Sequence, residues 1–176
     1  MSTDQTERPI ERPWSVPVTL ADIPDSGSHH ELVADAPVRD VVATLAGVRA
    51  LPRFEASFDL SRRGDGVEVR GEVRARVGQT CVVTLEPIEN EVREAVDLVF
   101  APASEATDAR PRRKRKDEPP EPLDNGVIDL GMVATEFLIL GLDPYPRKPG
   151  AEFSRPQTSD ERAKPFAALE QLKNRR

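Results

Sequence analysis

The chain has 176 residues, a net charge of −6, and 32% charged against 38% hydrophobic residues. That balance allows a modest buried core and excludes wholesale electrostatic coating of nucleic acid, although a local basic patch stays open. The single cysteine, Cys81, excludes an internal disulfide framework and a cysteine-rich zinc site.

Seventeen prolines exceed the usual share of about 5% and gather at the ends and in one internal gap, so the ordered part is expected to be smaller than the chain. Residues 1–11 are polar and read as a disordered tail without the apolar core of a secretory signal. A first short strand is expected from Trp14 to Leu20, with Trp14, Val16 and Val18 on one face and Pro17 at an edge position. Asp22 to His30 reads as a loop. Residues 37–48 place Val38, Val41, Val42, Leu45 and Val48 on one helical stripe, with Pro37 in the first turn, where a missing N–H does no harm.

The apolar period then falls from 3.6 to 2. Phe54, Ala56, Phe58 and Leu60 alternate with charged or small polar residues, and Arg62 to Gly66 supplies turn chemistry. Val67, Val69, Gly71, Val73, Ala75 and Val77 form the next alternating run. Gly78-Gln79 reads as a weaker turn, Cys81 to Leu85 as an apolar strand, Glu86 to Asn90 as another turn, and Val92 to Phe100 as the last strand. Half-buried strands in this order predict an antiparallel β-meander or a small, partly open barrel.

Residues 101–126 hold five prolines, six basic and six acidic side chains, and Leu123 as their only large apolar one. Burial cannot offset the ordering entropy of such a segment, which predicts a disordered, flexible internal loop. Structure is expected to resume with Asp129 as N-cap, Leu130 to Leu140 as an almost wholly apolar helix, and Gly141 as its terminal glycine. A helix apolar on most sides must be buried or docked. The apolar run to Leu142 falls short of the ~20 residues that span a bilayer, so no membrane contact is expected. Lys164 to Lys173 predicts a short terminal helix with Phe166, Leu169 and Leu172 on one face. The fold class is therefore α+β with packed helices.

The densest cation cluster is Arg112, Arg113, Lys114, Arg115 and Lys116, a candidate grip for RNA phosphates set against the favoured reading of a solvated loop tempered by Asp117, Glu118 and Glu121. Arg70, Arg74 and Arg76 share one strand face, because side chains two apart point the same way, and form a second RNA-binding candidate. Glu68 and Glu72 on that face favour ion pairing as the alternative. Glu136, on the exposed strip of the apolar helix, and Tyr145, Arg147 and Lys148, between prolines that restrict the backbone, are candidate partner-binding residues. His29 and His30 are adjacent and point apart, so they read as loop residues without a metal. Cys81 reads as a packed core thiol. No nucleophile elbow, phosphate loop or dinucleotide fingerprint occurs. The expectation is a protein that is not an enzyme and uses no cofactor or metal.

Gly71-Glu-Val-Arg-Ala-Arg-Val-Gly-Gln-Thr-Cys-Val-Val-Thr-Leu-Glu-Pro87, the strand ending at Phe100, and Val127-Ile-Asp-Leu-Gly131 through Asp143-Pro-Tyr-Pro-Arg-Lys148 resemble the YceD family, named for the bacterial large ribosomal RNA subunit accumulation protein. The resemblance covers most of residues 14–174 and implies one YceD-like domain over residues 12–174, interrupted at 101–126. Many members carry Cys-x-Arg-Cys where this chain has Cys81-Val82-Val83-Thr84, so no metal or redox role of those cysteines carries over. The resemblance implies a cytoplasmic, non-enzymatic factor in large-subunit rRNA processing or accumulation. Its expected partner is an rRNA precursor or a ribosome-assembly protein. The alternative is a general protein-interaction adaptor that docks through the helix at residues 129–140.

Overall fold

Two long runs of alternating apolar and charged residues become two long neighbouring strands of one sheet. In the computed structural model, which describes residues 12–102, 120–123 and 125–153, β3 (Ala50–Arg63) and β4 (Gly66–Thr80) pair antiparallel across the turn at residues 64–65. Phe54 faces Ala75, Phe58 faces Gly71 and Leu60 faces Val69 on the buried side. Glu55 faces Arg74 and Asp59 faces Arg70 on the other. Period-2 alternation thus gives the sheet one packed and one charged face.

β2 (Ser28–Val33) lies outside β3, and β5 (Pro87–Ala101) lies outside β4, both antiparallel. The tiny β6 (Glu121–Pro122) adds to β5 in parallel, giving the order β2-β3-β4-β5-β6. A second, two-stranded sheet pairs β1 (Pro17–Thr19) with β7 (Val127–Asp129). Helix α1 (Ala36–Ala46) connects β2 to β3, and α2 (Leu130–Leu140) follows β7 directly. This is an α+β meander, and the strands do not close into a barrel among the described residues.

The core is one contiguous cluster built from the inner faces of β3, β4 and β5, from Trp14, and from Leu130, Val133, Ala134 and Leu138 of α2. Trp14 meets the Phe54 ring edge-on, with centroids 4.8 Å apart. Phe137 is partly buried against the cluster. Thr135, buried in α2, donates its hydroxyl to the Gly131 carbonyl at 2.8 Å, so its polar atom is satisfied within the helix.

Local chemistry sets both helix starts. The Asp35 carboxylate accepts from the Val38 N–H at 2.9 Å, with Pro37 in the first turn of α1. Asp129 caps α2 through the Gly131 and Met132 N–H groups. Gly141 does end α2, but with φ −80° rather than in the left-handed conformation. Its glycine requirement is spatial, since a Cβ there would lie 2.6 Å from Glu94 Cγ and 2.7 Å from Val92 Cγ1 on β5.

Several sequence expectations are corrected. His29 and His30 lie in β2 rather than a loop; backbone pairing to Asp59 and Phe58 outweighs the poor strand propensity of Ser28, His29 and His30. Gly78-Gln79 is not a turn, because β4 continues to Thr80 with Gly78 paired to both Ala50 and Glu89. Cys81 to Leu85 is the turn instead of a strand, and Glu86 to Asn90 is mostly the start of β5. The distal part of the 101–126 segment is ordered by pairing: the Leu123 N–H donates to the Ala101 carbonyl at 2.8 Å and its side chain is buried. The tail at residues 1–11 and the helix expected from Lys164 to Lys173 lie outside the described residues, as does most of the internal loop.

Candidate partner-binding site

Cys81 opens the connection between β4 and β5, and its sulphur organises it. The Cys81 N–H donates to the Glu86 carbonyl and the Leu85 N–H donates back to the Cys81 carbonyl, both at 2.9 Å. Cys81 Sγ accepts from the Thr84 N–H at 3.4 Å and from the Lys148 N–H at 3.3 Å. Lys148 belongs to the proline-rich strap, residues 142–148, that follows α2. The thiol therefore joins turn and strap.

Other bonds reinforce that join. The Val82 N–H donates to the Pro146 carbonyl at 2.9 Å, and the Lys148 ammonium meets the Glu86 carboxylate at 2.9 Å. The Gln79 amide donates to the Asp143 carbonyl at 2.9 Å and is itself held by Asn90. The Asp143 carboxylate accepts from the Tyr145 N–H at 2.8 Å, which fixes the strap where it turns.

The donors also set local acidity. Cys81 is fully buried, which alone would raise its pKa, yet the Lys148 N–H first, and the Thr84 donors after it, bring the thiol down from 9.0 to about 6. The Lys148 ammonium and then the Thr84 hydroxyl hold the Glu86 carboxyl below its usual range.

Above this hydrogen-bonded base the surface is apolar. Leu85 has φ 60°, a left-handed backbone that costs a leucine roughly 1–2 kcal/mol, and its side chain is 74% exposed. Tyr145 is 71% exposed, and Val82 is also exposed. Arg147 and Lys148 bring cations to the same strap. A strained residue that presents an apolar side chain to water marks a candidate contact point.

The structure places the remaining sequence candidates elsewhere. Arg70, Arg74 and Arg76 do share the outer sheet face, but each is ion-paired there. Arg70 pairs with Glu68 at 2.9 Å and Asp97 at 3.4 Å, Arg74 with Glu72, and Arg76 with Glu89 and Glu91 at 3.4 Å. Glu136 is exposed on α2; partial burial first, and Glu121 second, push its carboxyl pKa up. The cluster from Arg112 to Lys116 lies outside the described residues. His29 sits exposed between Asp59 at 2.7 Å and Glu31 at 3.1 Å, and those carboxylates, Asp59 foremost, raise its pKa above 6.5. Among the described residues no group of three or more His, Cys, Asp or Glu side chains is placed to hold a metal ion. Sequence reasoning missed Val82, Leu85 and Glu86 as part of the site; the Leu85-Glu86-Pro87 step, where a proline restricts its predecessor, was the available signal for a turn.

The family described as large ribosomal RNA subunit accumulation protein YceD matches residues 69–173, more than half of the chain. The chain belongs to the YceD family. No curated protein and no solved structure matches it. The YceD match begins within β4 and contains the whole turn-and-strap site from Cys81 to Lys148, together with α2. β1, β2, α1 and β3 precede the matched YceD stretch, and of these β2 and β3 supply the opposite half of the large sheet. The family description places the chain in the context of large-subunit ribosomal RNA. No helix among the described residues is long and apolar enough to cross a membrane.

Proposed function

We propose that this YceD-family chain supports accumulation of large-subunit ribosomal RNA as a non-enzymatic binding factor. Its partner is a ribosome-assembly or rRNA-processing protein, docked on the face formed by Val82, Leu85, Tyr145, Arg147 and Lys148. The observation that carries the reading is Leu85, an exposed leucine held at φ 60° over a turn cross-linked to the strap. Exposed aromatic and aliphatic side chains on a fixed base, flanked by cations, match the anchors that dominate protein interfaces. The paired state of Arg70, Arg74 and Arg76 favours a protein partner over broad phosphate contact, since each cation already has a carboxylate neighbour.

The test is crosslinking in cells, with identification of both RNA and protein, for the wild-type chain and for a Leu85→Asp, Tyr145→Ala variant. Recovery of a ribosome-assembly or processing protein by the wild type, reduced at least tenfold in the variant, supports the proposal. Recovery of rRNA alone shifts the contact to the rRNA precursor. Recovery of partners unrelated to ribosomes supports the adaptor alternative.

A further inference from the structure

Beside the strap runs a groove of about 470 Å3. Val48 at the end of α1, Val82, Ile139 at the end of α2, and Leu142, Pro144 and Pro146 of the strap give it an apolar lining, and Arg49 and Asp143 add one charge of each sign. Its volume lies within the roughly 300–1,000 Å3 of pockets that hold ligands or side chains. Ile139 and Val82 are exposed there, and Leu140 next to Ile139 is exposed as well.

We propose that the occupant of this groove is the chain's own C-terminal segment, through Phe166, Leu169 and Leu172. The described fold ends at Phe153, seven residues after Pro146, which lines the groove. Twenty-three residues follow, from 154 to 176. The YceD match extends to residue 173, so this segment is part of the family unit rather than an appended tail. Its apolar residues recur every three positions, a spacing that puts them along one side of a helix about 9 Å long from first to last. Lys164, Glu170 and Lys173 beside them offer both signs of charge to Asp143 and Arg49.

Reach does not limit the contact. The twelve residues from 154 to 165 span up to about 40 Å when extended, against a radius of gyration of roughly 14 Å for a domain of about 130 residues. Twelve residues of tether also correspond to an effective concentration near millimolar, so a contact with a dissociation constant of about 1 mM would be half formed. A separate partner needs far higher affinity to compete at cellular concentrations. The groove shares Val82 with the proposed partner face but contains neither Leu85 nor Tyr145, so the two contacts are tested by different substitutions.

Disulfide trapping in the full chain tests it directly. Ile139→Cys is combined with Leu169→Cys, and a control pairs Val33→Cys with Leu169→Cys, because Val33 is exposed beyond the other end of α1. Cys81 stays in place, since its side chain is buried. Docking predicts an intramolecular disulfide forming at least tenfold faster for the groove pair than for the control. Equal rates overturn the proposal, and so does a groove-pair disulfide that forms only between two chains, which would name a second copy as occupant. Hydrogen exchange provides the second reading. In a Phe166→Ser, Leu169→Ser, Leu172→Ser chain, residues 79–83 and 139–146 are expected to exchange at least tenfold faster than wild type, with the β3–β4 pair unchanged. Unchanged exchange at the groove overturns the proposal, as does a loss of protection that is uniform across the sheet.

Discussion

Asp129 closes four hydrogen bonds with one carboxylate. It accepts from the Ser15 hydroxyl at 2.6 Å and the Val16 N–H at 2.8 Å, and it caps α2 through Gly131 and Met132 at 3.2 and 3.3 Å. It therefore joins the first strand to the helix that covers the sheet. Asp129→Ala is expected to lower unfolding stability by about 2–4 kcal/mol, more than a simple cap, because four donors, three of them part-buried, lose a charged acceptor. Gly131 beside it sets two effects against each other. Alanine would gain about 1 kcal/mol in helix propensity, but its Cβ would lie 2.5 Å from the Trp14 carbonyl oxygen, a backbone atom that cannot swing aside. Gly131→Ala is expected to destabilise by about 1–2 kcal/mol in urea titrations; a gain in stability would show that the Trp14 segment yields. Cys81 supplies a pH test. Its folded pKa of about 6 lies below the ordinary 9.0, so its contribution to stability is complete above pH 9 and is lost as pH falls through about 6. The stability difference between wild type and Cys81→Val should grow from pH 6 to pH 9, and thiolate absorbance should titrate near 6. A titration midpoint at or above the free-thiol value would show that burial outweighs the Lys148 and Thr84 donors.

The Cys81–Glu86 turn shows why elements were unequally legible. The β3–β4 alternation could be read because its signal is periodic over more than a dozen residues, and α2 because its apolar run is bounded by a cap and a glycine. Period 2 survives in Phe54, Phe58 and Leu60 opposite Ala75, Gly71 and Val69, and Asp129 marks the helix start with its cap. β2 was hidden because its inward row contains only His30 and Leu32 as larger side chains, so its strand character comes from pairing with β3. The turn was misread because Cys81, Val82, Val83 and Leu85 look like a buried strand by composition. What decides their conformation lies 67 residues away in sequence, where the strap supplies the Lys148 N–H to the sulphur. The same turn yields a prediction that separates stability from binding. Leu85→Gly relieves a left-handed penalty of about 1–2 kcal/mol and adds about 0.5–1 kcal/mol of unfolded-state entropy, so stability should stay equal or rise by up to about 1.5 kcal/mol. If the leucine is held there for a partner, the same substitution should weaken partner recovery at least tenfold. A variant that loses stability along with binding would make Leu85 a packing residue.

Across the molecule, apolar and charged surfaces are segregated in a way that bears on the partner's chemistry. The outer sheet face is a lattice of opposite charges in which Arg93 also joins Glu72 at 2.7 Å and Arg53 joins Glu55 at 2.6 Å. The end of the molecule where β4, β5, α2 and the strap meet instead exposes Val82, Leu85, Leu140 and Tyr145. Exposed ion pairs are worth roughly 0–1 kcal/mol each, so the lattice keeps the sheet soluble and in register more than it holds the fold together. Replacing Arg70, Arg74 and Arg76 together with glutamine should therefore cost no more than about 1–2 kcal/mol of stability. If the partner is a protein at the strap, that triple variant should leave the large-subunit rRNA level of a cell lacking the wild-type chain restored as fully as wild type does. The Leu85→Asp, Tyr145→Ala variant should fail to restore it while remaining folded. The reverse pattern, with rRNA lost in the arginine variant and kept in the strap variant, would assign the functional contact to the charged sheet face. The ion pairs would then be a resting state that an RNA backbone displaces, and rRNA binding should weaken steeply as salt rises.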